Sequence, residues 1–176
     1  MKKILTIILI LFASGTFAQK LAVKTNAAYW ATTTLNLGTE LAIAPKMTIN
    51  ITGNYNPFTF NNNKKIMHWA IQPEWRYWTC QRFAGHFFGI HAHYGRYNGG
   101  LEKYRYKGWF IGGGISYGYQ WILGKRWNLE AELGVGYAYL DYDKHMRKAC
   151  GKFIDTGHKN YIGPTKLSLS ILYFIR

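Results

Sequence analysis

Few residues in this sequence have side chains that act chemically, and they fall close together. His91 and His93 are two apart, Glu130 and Glu132 are two apart, and Ser116 lies between the pairs. On a strand, residues two apart share a face. His91 and His93 could therefore ligate a metal together with Glu130 or Glu132, and Ser116 with His91 has the composition of a nucleophile and its base. Two ligands on one strand do not make a metal set, however. The same side chains serve equally as hydrogen-bonding partners in a polar interior. The elements that carry them decide between these readings.

Those elements centre on the stretch from Gly108 to Asp143, which reads as two long strands around a turn at Gly124 and Lys125. On the second strand Trp127, Leu129, Ala131, Leu133, Val135, Tyr137 and Tyr139 alternate with Asn128, Glu130, Glu132, Gly134, Gly136 and Ala138. On the first, Trp109, Ile111, Ile115, Tyr117, Tyr119 and Trp121 alternate with Gly112, Gly114, Ser116, Gly118 and Gln120. This is the period of two of a half-buried strand. Each strand exceeds the roughly 5–6 residues of an ordinary globular strand. Trp109 and Trp121 bracket one apolar face twelve residues apart, as Trp127 and Tyr139 bracket the other. Twelve residues tilted by ~45° climb about 28 Å, which suits an outward apolar band of ~25 Å between aromatic girdles. The apolar face is thus expected to meet lipid, with Trp69 and Tyr137 in the same girdles, and the polar face to line a lumen. A secreted sandwich would invert both faces. Trp121 and Trp127 share parity, so a three-residue turn or a bulge should close the hairpin.

The chain opens MKKILTIILILFASGTFA, with two lysines, an apolar core and a small-residue exit. That is the pattern of a secretory signal peptide over residues 1–18, cleaved after Ala18, with residues 19–176 as one domain. The apolar run falls short of the ~20 residues of a spanning helix. Two cysteines, Cys80 and Cys150, are too few for a disulfide scaffold.

Taken in order, strands are expected from Leu21 to Thr33 (with Ala27 and Tyr29 outward, Ala28 and Trp30 inward), then from Leu35, Met47, Trp69 and Phe88, then the two of the hairpin, and a last one from Lys166. Pro73 lacks a ladder donor and should sit at a bulge. The connections after the first loop alternate short and long, as periplasmic turns and outer loops do in outer-membrane barrels. The expectation is an all-β, eight-stranded antiparallel up-and-down transmembrane β-barrel with a side-chain-filled lumen. Its inward set holds Lys24, Glu40, Asn50, Gln72, Glu74, Arg76, His91, His93, Glu130, Glu132 and Lys166. Buried charges must be paired, so a cross-linked polar network is expected there.

Three segments then carry a resemblance: RYWTCQRFAGHFFGIHAHYGRYNGG (Arg76–Gly100), the hairpin GWFIGGGISYGYQWILGKRWNLEAELGVGYAYLDYDK, and GHKNYIGPTK (Gly157–Lys166). Together they resemble a Bacteroidota barrel family catalogued as domain of unknown function 3575, with similarity from KTNAAYWATTTLNLG onward. The resemblance implies an outer-membrane β-barrel, sometimes encoded near fimbria-like surface structures, and supplies no catalytic residues. It also implies a cysteine pair near Cys150, where this chain has one cysteine.

No cofactor or metal is implied, and a non-enzymatic role is expected: a monomeric structural or surface-presented adhesion element, accessory to an appendage. The alternatives are a lipid-A-type modifying enzyme and a narrow channel. The formal charge is +14. The expected outer loops hold Lys64, Lys65, Arg96, Lys103, Arg105, Lys107, Lys144, Arg147, Lys148, Lys152 and Lys159 against Glu102, Asp141, Asp143 and Asp155. Such a field attracts polyanions. Beyond outer-membrane lipid, the expected partners are lipopolysaccharide, surface polysaccharide or an appendage component. Nucleic acid is not expected, because basic charge alone is no motif.

Overall fold

A computed structural model describes residues 21–60, 64–100, 104–146 and 152–175. The expected signal peptide and its cleavage site lie outside these residues. The elements are β1 (Leu21–Asn26), α1 (Ala27–Ala31), β2 (Leu35–Ala44), β3 (Met47–Asn56), β4 (Thr59–Phe60), β5 (Lys64–Trp78), β6 (Gly85–Gly100), β7 (Tyr104–Ile122), β8 (Trp127–Met146) and β9 (Phe153–Ile175). All pairings are antiparallel and follow the order β3-β2-β1-β9-β8-β7-β6-β5-β4, with β3 also pairing β5. That last pairing joins the two sides, so eight strands form a ring-like sheet with β4 as a short flap on β5.

Alternation sets the two faces of the sheet. Leu37, Leu41, Ile51, Ile90, Ile115 and Leu133 are exposed on the outside, while Glu40, Asn50, Glu74, His91, Ser116 and Glu130 are buried inside. A sheet can invert the usual arrangement in this way when its polar face closes on itself. No helix among the described residues is long and apolar enough to cross a membrane, which has no bearing on crossing by strands.

The three connections at one end are short: Pro45–Lys46, residues 79–84 and residues 123–126. The last runs as three residues between Leu123 and Trp127, with the Leu123 and Gly124 N–H groups both donating to the Trp127 carbonyl, at 3.0 and 3.1 Å. The odd-length turn required by the parity of Trp121 and Trp127 is therefore present. Higher on the same hairpin Gly114 pairs with Gly136. A Cβ added to either would stand 2.7 Å from the other's Cα, so only glycine allows the two backbones this approach.

Four expectations need correction. The first strand does not reach Thr33. It ends at Asn26, whose side-chain oxygen accepts from the Ala28 N–H at 3.0 Å and caps α1. Trp30, expected inside, is 62% exposed on that helix. The cap wins because Ala27–Ala31 has no strand neighbour to hold it extended.

Pro73 makes no bulge. It stays in register opposite Ile51, and the ladder to β6 skips Gln72 and Pro73 and resumes at Glu74 without a shift. The missing donor costs one stretch of one ladder, and the other ladder holds the strand straight.

The expected long loops are largely strand. β6 to β9 run on through residues 96–100, 104–108, 144–146 and 153–165. Opposite charges face each other across these extensions, Lys107 to Asp143 and Lys144 to Asp155. The Lys144 ammonium also lies 4.0 Å from the Tyr104 ring centre. Cross-strand pairs of this kind let polar, glycine-containing segments hold a ladder. Arg105, Lys107 and Lys144 are thus strand residues. Lys64 and Lys65 belong to β5, their side chains lying outside the description. Lys152 is exposed just before β9, and Arg147, Lys148 and Cys150 lie outside the described residues.

The fourth correction concerns the interior, which is filled only in part.

Candidate functional site

Along its axis the ring holds three layers. At the short-turn end is an apolar plug of Trp78, Phe83, Phe87, Phe174, Leu172, Ala22 and Ala42. Phe83, at φ 64°, turns its ring into the opening, where it meets Trp78 at 6.0 Å and Phe174 at 5.0 Å between centroids. The Asn128 side-chain amide donates to the Phe83 carbonyl at 2.9 Å and fixes this turn. The inward parity of Trp78, Phe87 and Phe174 at one end was the signal for the plug.

Above the plug lies the charged layer, and Arg76 is its centre. Its Nη1 donates to Glu40 Oε2 at 2.8 Å and Glu130 Oε2 at 2.7 Å. Nη2 donates to Glu130 Oε1 at 3.0 Å and Glu132 Oε2 at 2.7 Å, and Nε donates to Glu74 Oε2 at 2.6 Å. Its guanidinium also lies 4.3 Å from the Phe87 ring centre, joining this layer to the plug. Lys24 Nζ donates to Glu130 Oε1 at 2.9 Å. Lys166 Nζ donates to Glu74 Oε2 at 2.6 Å and stands 3.0 Å from Glu132 Oε1. All seven side chains are buried. Thr48 donates to Glu40 at 2.6 Å, Asn50 to Glu74 at 3.1 Å and Ser116 to Glu74 at 2.5 Å. Gly89 leaves room for this meeting, since a Cβ there would overlap both the Glu74 carboxylate and the Ser116 hydroxyl.

The network comes from β1, β2, β3, β5, β7, β8 and β9 together, so it ties the ring across its diameter. Glu130→Ala is expected to leave Arg76 and Lys24 short of a buried anion. A loss on the order of 3 kcal/mol in unfolding free energy follows from breaking a buried pair. An unfolding midpoint in denaturant that matches the parent would remove the network's claim to hold the ring.

The residues named for catalysis do not meet as a pair. The Ser116 hydroxyl is engaged by Glu74, while His91 Nε2 lies 2.9 Å from Thr165 Oγ1. His91 and His93 have ring centres 5.9 Å apart, and no group of three or more metal-type side chains converges among the described residues. The aromatic residues expected to form girdles sit at both ends. Trp127 packs on Tyr173 at 4.9 Å and Tyr119 on Trp121 at 4.8 Å near the short turns. Trp109 packs on Tyr139 at 5.8 Å and Trp69 on Tyr94 at 5.6 Å toward the other end. Tyr137 donates its hydroxyl to Asn160 at 2.8 Å.

The third layer was not expected. Above the charges the interior opens into a vestibule of about 870 Å³, lined by Tyr29, Tyr97, Tyr104, Tyr106, Phe110 and Tyr161 with Leu140, Ala138 and Ile66. Gln72, His93 and Thr165 form its floor and Lys159 stands in its wall. Gln72 and His93 are more than nine-tenths buried, yet Gln72 Nε2 and His93 Nδ1 have no hydrogen-bond partner among the described residues. A bulge in β9 shapes this layer. Gly134 pairs Lys166 and Val135 pairs Pro164, so Thr165 is the extra residue. Beyond it the strand is rephased, and odd-numbered Tyr161 and Lys159 join the lining where even-numbered Lys166 had pointed in.

Such a molecule is an all-β ring with an apolar plug, an ion-paired middle and an open aromatic cup. The chain belongs to the family of proteins of unknown function DUF3575, whose match covers residues 3–175. No curated protein and no solved structure matches it.

Proposed function

We propose that the protein is an outer-membrane β-barrel acting as a non-enzymatic, surface-presented structural or adhesion element. The observation that carries this reading is the inverted sheet, with aliphatic side chains outside between two aromatic girdles and four glutamates inside. A lipid-facing band and a polar lumen are what a spanning ring requires. The long strand ends and the vestibule then face the cell exterior, and the short turns face the periplasm. The plug and the Arg76 network across the lumen favour a presented scaffold over a channel. Engagement of Ser116 by Glu74 favours it over an acyl-transferring enzyme.

The test is made on cell envelopes. The protein should fractionate with the outer membrane and run faster unheated than boiled on a detergent gel. Cys150 should react with an impermeant thiol reagent on intact cells while Cys80, exposed at the short-turn end, does not. Recovery in the soluble periplasmic fraction, or labelling of Cys80 from outside, would overturn the reading. A conductance across planar bilayers would replace it with a channel.

A further inference from the structure

The ring wall is uneven above the charged layer. β9 runs from Phe153 to Ile175, but β1 accompanies it only over Ser170–Ile175. The Asn26 side chain closes the next step, its amide donating to the Leu167 carbonyl at 3.1 Å and its oxygen accepting the Leu169 N–H at 3.0 Å. Higher up, residues 153–165 pair β8 on one side; on the other α1 packs against β9, with Tyr29 near Pro164 and Thr165, and no described strand lies there. Natural sheets blunt such edges with proline, charge or a covering segment. Here the blunting flanks a central stretch. Below it Pro164 has no donor, and its carbonyl accepts from the Tyr161 hydroxyl at 3.2 Å. Above it the Thr156 N–H donates to the Asp155 carboxylate at 2.9 Å. Between them residues 157–163 carry neither proline nor acid, and Ile162 is 84% exposed. This same stretch, through Lys159 and Tyr161, forms a wall of the aromatic vestibule.

We infer that the open edge of β9 and the vestibule together form one docking site for an extended polypeptide segment, which adds as a strand beside residues 157–163 and places alternate apolar side chains in the cup. Strand addition draws affinity from main-chain hydrogen bonds and selectivity from pockets for every second side chain. The edge supplies the first of these, and the tyrosine-lined cavity, with Gln72 Nε2 and His93 Nδ1 unpartnered among the described residues, supplies the second. Charge sets the remaining positions of the ligand. Four of the eight acids are consumed in the interior network, and among the described residues Asp141, Asp143 and Asp155 stand at this end with Arg96, Arg105, Lys107, Lys144, Lys152 and Lys159. The partner strand is therefore acidic on its outward positions. A second copy is a poor occupant, because antiparallel pairing of β9 with itself would need the other ring inverted in the same membrane.

This deepens the surface-docking reading but is tested separately from it, on purified full-length chain in lipid nanodiscs. The probes are labelled, capped ten-residue peptides in which Phe, Leu or Val alternates with Glu or Thr. Controls have the same composition in blocks, or carry backbone N-methyl groups on every second residue along one edge or the other. The alternating set should contain a binder by fluorescence anisotropy. Block order and one of the two N-methyl patterns should each weaken it by at least about tenfold, as expected for several lost hydrogen bonds. Amides within residues 157–163 should gain protection from hydrogen exchange on binding. Tyr161→Ser, which removes a ring from the cup wall, should weaken the alternating peptides by about tenfold while leaving the gel shift on heating unchanged. Failure of every alternating peptide to bind overturns the inference. So does equal binding of the N-methylated forms, which would make the cup a pocket for loose apolar ligands such as acyl chains.

Discussion

Replacing Arg76 with methionine is expected to destabilise the protein by about 3–5 kcal/mol, the range for removing one partner of a buried ion pair. Four carboxylates in this layer face three cations, and Arg76 alone touches all four. Without it the one cation left to Glu40 among the described residues is Lys24, at 3.8 Å, and the one left to Glu130 is again Lys24, at 2.9 Å. Methionine restores volume but none of the donors. Arg76→Lys should recover little, because one ammonium cannot serve acceptors that a planar fork reaches from three nitrogens. The measurement is urea unfolding of the folded chain in detergent, followed by the gel shift between its folded and unfolded forms. A second substitution separates a network from a sum of contacts. In Arg76→Met, adding Glu130→Gln should cost less than it does alone, with a coupling above about 1 kcal/mol. Additive losses would mean that Arg76 and Glu130 do not share one charge balance, and the tie across the ring would fail with them.

The second large effect lies on the outside. Leu133 is 64% exposed and sits between the levels of Trp127 and Tyr139 on β8. If the outer face meets hydrocarbon, Leu133→Arg should cost about 2–4 kcal/mol, while Tyr139→Arg near the girdle should cost about 0–1 kcal/mol. On a sheet facing water, both substitutions would stay within about 0.5 kcal/mol. The comparison is made in lipid vesicles, from reversible unfolding in denaturant of the parent and each variant. A dependence on depth is the expected signature. Equal, small effects at the two positions would place this face in water and remove the membrane from the reading.

The sequence and the structure divide the molecule between them along a physical line. Side-chain alternation has a period of two and is set by the strand backbone itself. It placed Lys24, Glu40, Glu74, Arg76, His91, Glu130, Glu132 and Lys166 on one face, and all are buried there. The parity of Trp121 and Trp127 likewise foretold an odd turn, since register follows from counting residues. Opposite charges with no water to solvate them have to pair, so a network was legible as a class. Its geometry was not. Arg76 at the hub, with Glu74 shared by Lys166, Asn50 and Ser116, depends on which residues the closed ring brings opposite one another.

The ends of the strands were the other thing hidden from the sequence. Lys107, Asp143, Lys144 and Asp155 read as loop on local chemistry, and only their cross-strand partners make them ladder. Asn26 turns from strand residue to helix cap because nothing pairs with the chain beyond it. The bulge at Thr165 is invisible to periodicity, since one extra residue reverses every parity above it. That reversal turns Tyr161 and Lys159 inward and opens the cup. The sequence by itself thus determined the two faces, the closure and the charged interior, which follow from the strand repeat and the cost of burying charge. Only the tertiary structure decided the uneven height of the wall, the free edge of β9 and the vestibule beside it, because each depends on where a neighbouring strand stops.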